Sequence, residues 1–180
     1  MARYQPDQWV APHLRMRDLA CKCGRPECGY KDLDDACHER SVLFFWRVGE
    51  LLKEFGLKFT VNSALRCPAH NAEVGGSPNS AHIYSVAIDI GTEDAPGDLY
   101  ALAELTGFFS GIIWYPWGVH LDLHPNDRVV RGYSLGPMEH HLIRLGNRDG
   151  LPVETVYAWN CDYTIEKPDY ILDAEQRMLP

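Results

Sequence analysis

The sequence predicts an α+β fold, a small antiparallel sheet with flanking helices, on two observations. Glu39 to Phe55 repeats apolar residues at helical spacing, and Val119-His120-Leu121-Asp122-Leu123-His124 alternates apolar and polar residues at the period of a strand. No internal repeat and no low-complexity tract suggests any other architecture. At 180 residues the chain has ample length for one domain with a substantial core.

Each element follows from local chemistry. Trp9 to Leu19 reads as an irregular arm leading into a cysteine-rich loop. In the helix Glu39 to Phe55, Leu43, Trp46 or Arg47, Val48, Leu51, Leu52 and Phe55 form the expected buried stripe, and Gly56 ends it as a C-terminal glycine cap. Lys58 to Asn62 is a strand. Pro68 opens a short helix as a first-turn proline, and 75–79 is a loop rich in Gly, Ser, Pro and Asn. Ser85 to Ile90 opens a second strand with Ser85, Ala87 and Asp89 on one face. Asp98 to Leu105 is helical, Phe109 to Trp114 a strand, and Val119 to His124 the next. Arg128 to Tyr133 adds an edge strand, Gly136 to Leu145 a helix, and Gly146 to Gly150 a turn. Three segments result: 1–38, an N-terminal arm with the cysteine-rich loop; 39–133, a core; and 134–180, a C-terminal extension. Tyr157, Trp159, Tyr163 and Tyr170 give that extension the apolar mass to pack on the core, or alternatively to dock on a partner.

Seventeen Lys and Arg against 25 Asp and Glu give a net charge of −8, which argues against nonspecific binding to nucleic acid or anionic membranes. No apolar run approaches the ~20 residues that span a bilayer. The N-terminus lacks the apolar core of a secretion signal, so retention in the cytoplasm where the chain is made is the expectation.

The chemistry concentrates in two places. His82 on a loop and Asp89 on the following strand are seven positions apart, roughly 10 Å along a helix at ~1.5 Å per residue, so a loop-then-strand arrangement suits a shared ion better. On the later strand His120, Asp122 and His124 share one face, above Val119, Leu121 and Leu123. His82, Asp89 and His120 therefore suggest one zinc ion, since catalytic zinc commonly takes three His or carboxylate ligands and keeps a fourth position open. The remaining histidines, among them His13, His38, His70, His140 and His141, have no special claim to that ion, and His124 reads as a rim residue.

Ser80-Ala81-His82-Ile83-Tyr84-Ser85-Val86-Ala87-Ile88-Asp89 resembles the S-x-H-x-x-G-x-A-x-D signature of zinc D-alanyl-D-alanine carboxypeptidases and the related L-alanyl-D-glutamate endopeptidases of bacteria and phages. Val61 to Asn71 with Val74 to Ser77 resembles the family's "S-G-Y-R-C-P-x-H-N…V-G-G" block, and Val119 to Asp122 its "V-H-V-D". The resemblance covers 40–133 and implies a hedgehog- and DD-peptidase-like zinc fold. It implies His82, Asp89 and His120 as zinc ligands, and Arg66 as the cation that meets the substrate carboxylate or developing oxyanion. Ser80, which opens the signature, is a further substrate-binding candidate. A structural ion pair is the rival role for Arg66.

Three departures stand out. Ser85 occupies a position the family gives to Gly, one that calls for close backbone approach or unusual dihedrals. Ala81 replaces a frequent Gln. Trp117 and Gly118 stand where relatives carry a general base, and neither can move a proton. Asp122 is the remaining carboxylate on the ligand face and the candidate base, with orientation of His120 as its alternative role.

Cys21, Cys23, Cys28 and Cys37, with adjacent His38, leave three readings open: a structural zinc knuckle, disulfides, or reduced thiols. Cys67 and Cys161 are too distant in sequence to assign.

The resemblance implies zinc-dependent cleavage of short D-residue-containing peptides of bacterial peptidoglycan, with a phage lysis or virion-associated enzyme as the expected context and virion proteins as potential partners. Two other classes compete: a structural or binding protein that keeps fold and metal without turnover, and an adaptor centred on the cysteine-rich loop.

Overall fold

The computed structural model describes residues 4–33, 39–92, 95–123, 128–136 and 139–147. Cys37, His38, His124, Cys161 and the aromatic residues of the tail lie outside them. The architecture is mixed helix and strand, the α+β class that the two periodicities predict. The chain divides into two compact units, Met1–Asp89 and Ile90–Pro180.

In the first unit the arm is more regular than expected. Strands β1 (Trp9–Ala11) and β2 (Leu14–Arg15) pair antiparallel and lead directly into α1 (Met16–Leu19). A single 3-10 turn covers Gly29–Lys31. Helix α2 occupies Glu39–Phe55, as its periodicity predicts. Its buried side, however, is built on Phe44, Phe45, Val48, Leu51 and Leu52, while Leu43 and Trp46 are each 50% exposed. Phe44 and Phe45 are adjacent in sequence and both buried, with rings edge-to-face at 5.1 Å. Val48, Leu51, Leu52 and Phe55 are buried as expected; only the N-terminal end of the stripe differs, where Phe44 and Phe45 take the place of Leu43 and Trp46, because two aromatic rings remove more apolar area from water than Leu43 does. Strand β3 (Thr60–Ser63) lies beside β4 (Ala87–Gly91), and α3 (Pro68–Glu73) starts on its proline.

In the second unit, α4 (Pro96–Leu105) buries Leu99, Tyr100, Ala101 and Ala103. Strands β5 (Gly111–Tyr115), β6 (Gly118–Asp122), β7 (Arg128–Gly136) and β8 (Glu139–Asn147) follow, in the spatial order β6-β5-β7-β8. β5 and β6 are antiparallel, with Ile113 opposite His120. β5 and β7 run parallel, and β7 and β8 antiparallel. Two expectations are corrected here. Arg128 to Tyr133 is not an edge strand but lies between β5 and β8. The segment from Glu139 onward is strand, not helix. A ten-residue helix is marginal on its own, whereas pairing with β7 satisfies the backbone of the whole segment, so the ladder decides over local propensity.

Candidate metal centre

His82 sits in a chain of tight turns after the 75–79 loop. Ser80 N–H donates to Ser77 O (2.9 Å), Ile83 N–H to Ser80 O (3.0 Å), Ser85 N–H to His82 O (3.2 Å) and Val86 N–H to Ala81 O (3.1 Å). Ser85 closes this run with φ +58°, in the left-handed region, and is fully buried. The departure from Gly at this position thus carries a conformational cost of about 1–2 kcal/mol. The chain straightens only at Ala87, so Ser85 is not part of β4 as the alternation suggested.

The imidazole of His82 is buried at 3% exposure, with Nδ1 2.7 Å from the carbonyl of Ala64. A carbonyl only accepts, so Nδ1 carries the hydrogen. Nε2 points at Asp89 Oδ2, 3.2 Å away. Two acceptor lone pairs at that separation repel unless positive charge sits on or between them, as a proton on Nε2 or a bound cation. The Arg66 guanidinium reaches the same Asp89 oxygen at 3.2 Å and also donates to Ser63 Oγ at 2.8 Å. Arg66 and Asp89 are both largely buried, so the pair is shielded from solvent screening. The ion pair weighed for Arg66 therefore exists. Ser80 itself is half-buried at the turn before His82.

Asn71 had no assigned role in the sequence, although it stands in the C-P-x-H-N block. It is 2% exposed, donates from Nδ2 to Ser77 O at 2.8 Å, and accepts from Arg66 Nη1 at 3.4 Å. It thus ties Arg66 to the loop that delivers His82. Its position in the motif was the available signal.

In the second unit, His120 Nε2 lies 3.1 Å from Asp122 Oδ2. Both residues project from β6 with side chains shielded from solvent. The Asp122 carboxylate lies over Gly111, its partner across β5, where a methyl group would collide with it at 2.3 Å. Asp122 Oδ1 is buried and has no hydrogen-bond partner among the described residues. Two positions before His120, a Cβ on Gly118 would stand 1.9 Å from the carbonyl oxygen of Ile90. The residue is held to glycine by the neighbouring backbone, so no base can occupy that position. Trp117 stacks on Tyr115 with ring centres 4.6 Å apart and is 43% exposed.

Two sets of side chains could hold a metal ion: His82, Asp89 and His120; and Cys21, Cys23, Cys28 and Cys67. In the second set the four sulfurs lie within 4.8 Å of one another. The first set supplies two imidazoles and a carboxylate, a composition that fits zinc with a coordination position to spare. In the second, the thiols have diverging acidities. The backbone N–H of Arg25 holds Cys23 down to about 6, while burial pushes Cys28 up to about 12 and raises Cys21.

A family model described as Peptidase M15 matches residues 12–122. The chain belongs to this family of metallopeptidases, whose members depend on a metal, as the motifs in 40–133 imply. Comparison with curated proteins gives no match. Among the described residues no helix is long and apolar enough to cross a membrane.

Proposed function

We propose that the chain is a zinc peptidase that cleaves short, D-residue-containing peptides of bacterial peptidoglycan, with zinc held by His82, Asp89 and His120. The observation that carries this reading is the His82–Asp89 pair: acceptors 3.2 Å apart, the imidazole buried and already anchored through Nδ1. Membership of the M15 family supports the reaction class. When bound, zinc polarises the scissile carbonyl and lowers the pKa of a water nucleophile.

The chain's own residues do the rest. Ala64 O fixes the His82 tautomer, leaving Nε2 as ligand atom. Asp122 takes the proton from the attacking water and passes it to the leaving amine, and its Oδ2 also orients His120. Arg66 steadies Asp89 and presents its positive charge to the substrate carboxylate or to charge developing at the carbonyl. Ser80, at the mouth of the same turn, contributes a hydroxyl to substrate binding. The biological setting we propose is wall degradation by a phage lysis enzyme or virion-borne protein, made in the bacterial cytoplasm, because the motifs resemble endopeptidases of phages as well as bacteria.

The test is mass analysis of purified peptidoglycan fragments after incubation with zinc-loaded protein. New peptide termini next to a D-residue are the expected result, and their identity names the bond. One observation favours a second reading, a wall-binding or virion protein without turnover: Gly118 leaves no room for the base that relatives carry there. Intact fragments with zinc bound would favour that reading over the enzyme.

A further inference from the structure

The M15 reading leaves the four cysteines without a task. We propose that Cys21, Cys23, Cys28 and Cys67 form a second, structural metal site, a closed tetrathiolate suited to zinc. It clips the N-terminal loop to the segment that carries Arg66.

The four sulfurs lie within 4.8 Å of one another, and they are thiols, not paired in disulfides. The set differs from the sequence grouping of Cys21, Cys23, Cys28 and Cys37: Cys67 supplies the fourth sulfur, and Cys37 lies outside the described residues. The backbone is arranged around sulfur acceptors. The N–H of Cys67 donates to Cys21 Sγ at 3.4 Å, and the N–H of His70 to Cys67 Sγ at 3.4 Å. The amides of Arg25 and Tyr30 donate to Cys23 and Cys28. Each sulfur thus receives a backbone N–H, the partner that a metal-bound thiolate needs and a neutral thiol does not.

Gly24 makes one of these turns possible. Its φ is +71°, yet a Cβ there would meet nothing within 4 Å. Conformation alone, not crowding, favours glycine directly after Cys23. Cations surround the loop: Lys31 Nζ donates to the Cys21 carbonyl, Lys22 Nζ to Val61 O at 2.6 Å, and Arg25 pairs with Glu73 and also reaches Cys23. Four thiolates on a divalent ion leave two net negative charges, which these side chains offset. Four sulfur donors fill a tetrahedral ion and leave no position for water, so the site is structural.

Its role follows from where Cys67 stands. Cys67 follows Arg66 directly and is 46 residues from Cys21, and Leu65 N–H donates to Leu19 O at 2.9 Å in the same region. A metal closing that loop holds in place the strand exit from which Arg66 reaches Asp89.

The test is elemental analysis of the full chain purified under reducing conditions with zinc present. About two zinc ions per chain are expected, falling to about one in Cys28→Ser and, independently, to about one in His120→Ala. Cobalt-loaded His120→Ala should retain the near-ultraviolet sulfur-to-metal charge-transfer band, and Cys28→Ser should lose it. Should Cys28→Ser fail to fold, the separate variant Cys23→His, which keeps a ligand, should fold and retain about two zinc ions per chain. Thiol alkylation and mass analysis of the wild type need no variant at all. Zinc content unchanged in Cys28→Ser, or disulfides among these four cysteines in the wild type, would overturn the proposal. Loss of the His82, Asp89 and His120 ion alone leaves it standing.

Discussion

The two donor sets differ in kind, and the difference teaches what each is for. His82, Asp89 and His120 offer nitrogen and oxygen from three residues, whose partners are a carbonyl, a guanidinium and a carboxylate. On the proposed reading, that set would keep a coordination position open beside charged neighbours. Cys21, Cys23, Cys28 and Cys67 offer four sulfurs whose partners are backbone amides. Such a set would close on an ion and leave no coordination position for a substrate. Open coordination with ionisable neighbours points to reaction, and closed coordination with amide neighbours to structure.

The largest expected effects lie at the proposed ligands. His82→Ala, Asp89→Ala or His120→Ala should each abolish tight zinc binding at the first set and take peptide cleavage below detection, because three protein ligands leave none to spare. Elemental analysis together with a cleavage assay checks this, and equal zinc in wild type and His120→Ala would refute the assignment. His70→Ala should leave the metal in place.

A smaller effect sharpens the contrast between ligand and proton carrier. Asp122→Asn should keep zinc yet lower turnover by about a hundredfold or more, the usual scale for losing an acid–base group. Loss of zinc in Asp122→Asn would make the residue a support for His120 alone, and unchanged turnover would remove it from the reaction.

Backbone fit comes next. Gly118→Ala forces a methyl group onto the Ile90 carbonyl and should cost about 1–3 kcal/mol, read as a lower denaturant midpoint at unchanged slope. The smallest expected effect is at Ser85. Ser85→Gly relieves the left-handed backbone next to His82 and should raise stability by up to about 1 kcal/mol, with zinc content unchanged. A fall in melting temperature would mean that the buried serine hydroxyl outweighs the strain.

Much of this was legible in the residues alone. Helix α2 begins and ends where its periodicity and Gly56 predict, because seventeen residues of one period leave a short-range mechanism little choice. The metal-ligand candidates were legible through spacing and motif. The need for an unusual backbone at position 85 was legible too, since a Gly-to-Ser departure in a turn names a dihedral problem in advance. The N-terminal end of the stripe that α2 buries was not, because Phe44 and Leu43 are equally apolar and only the packing surface distinguishes them. The strand character of β8 was not legible for the same reason: its ladder partner β7 is a separate stretch of chain.

The sequence by itself determined the fold class, the long helix, the alternating strand and the family motifs, each of which is written in neighbouring residues through a period or a spacing. Tertiary structure decided the rest. It brought Cys67 to Cys21 across 46 residues, linked Asn71 to Arg66, pressed Gly118 against Ile90 and laid Asp122 over Gly111. These are contacts through space between segments whose local patterns are indifferent to one another, so only the packed chain can specify them.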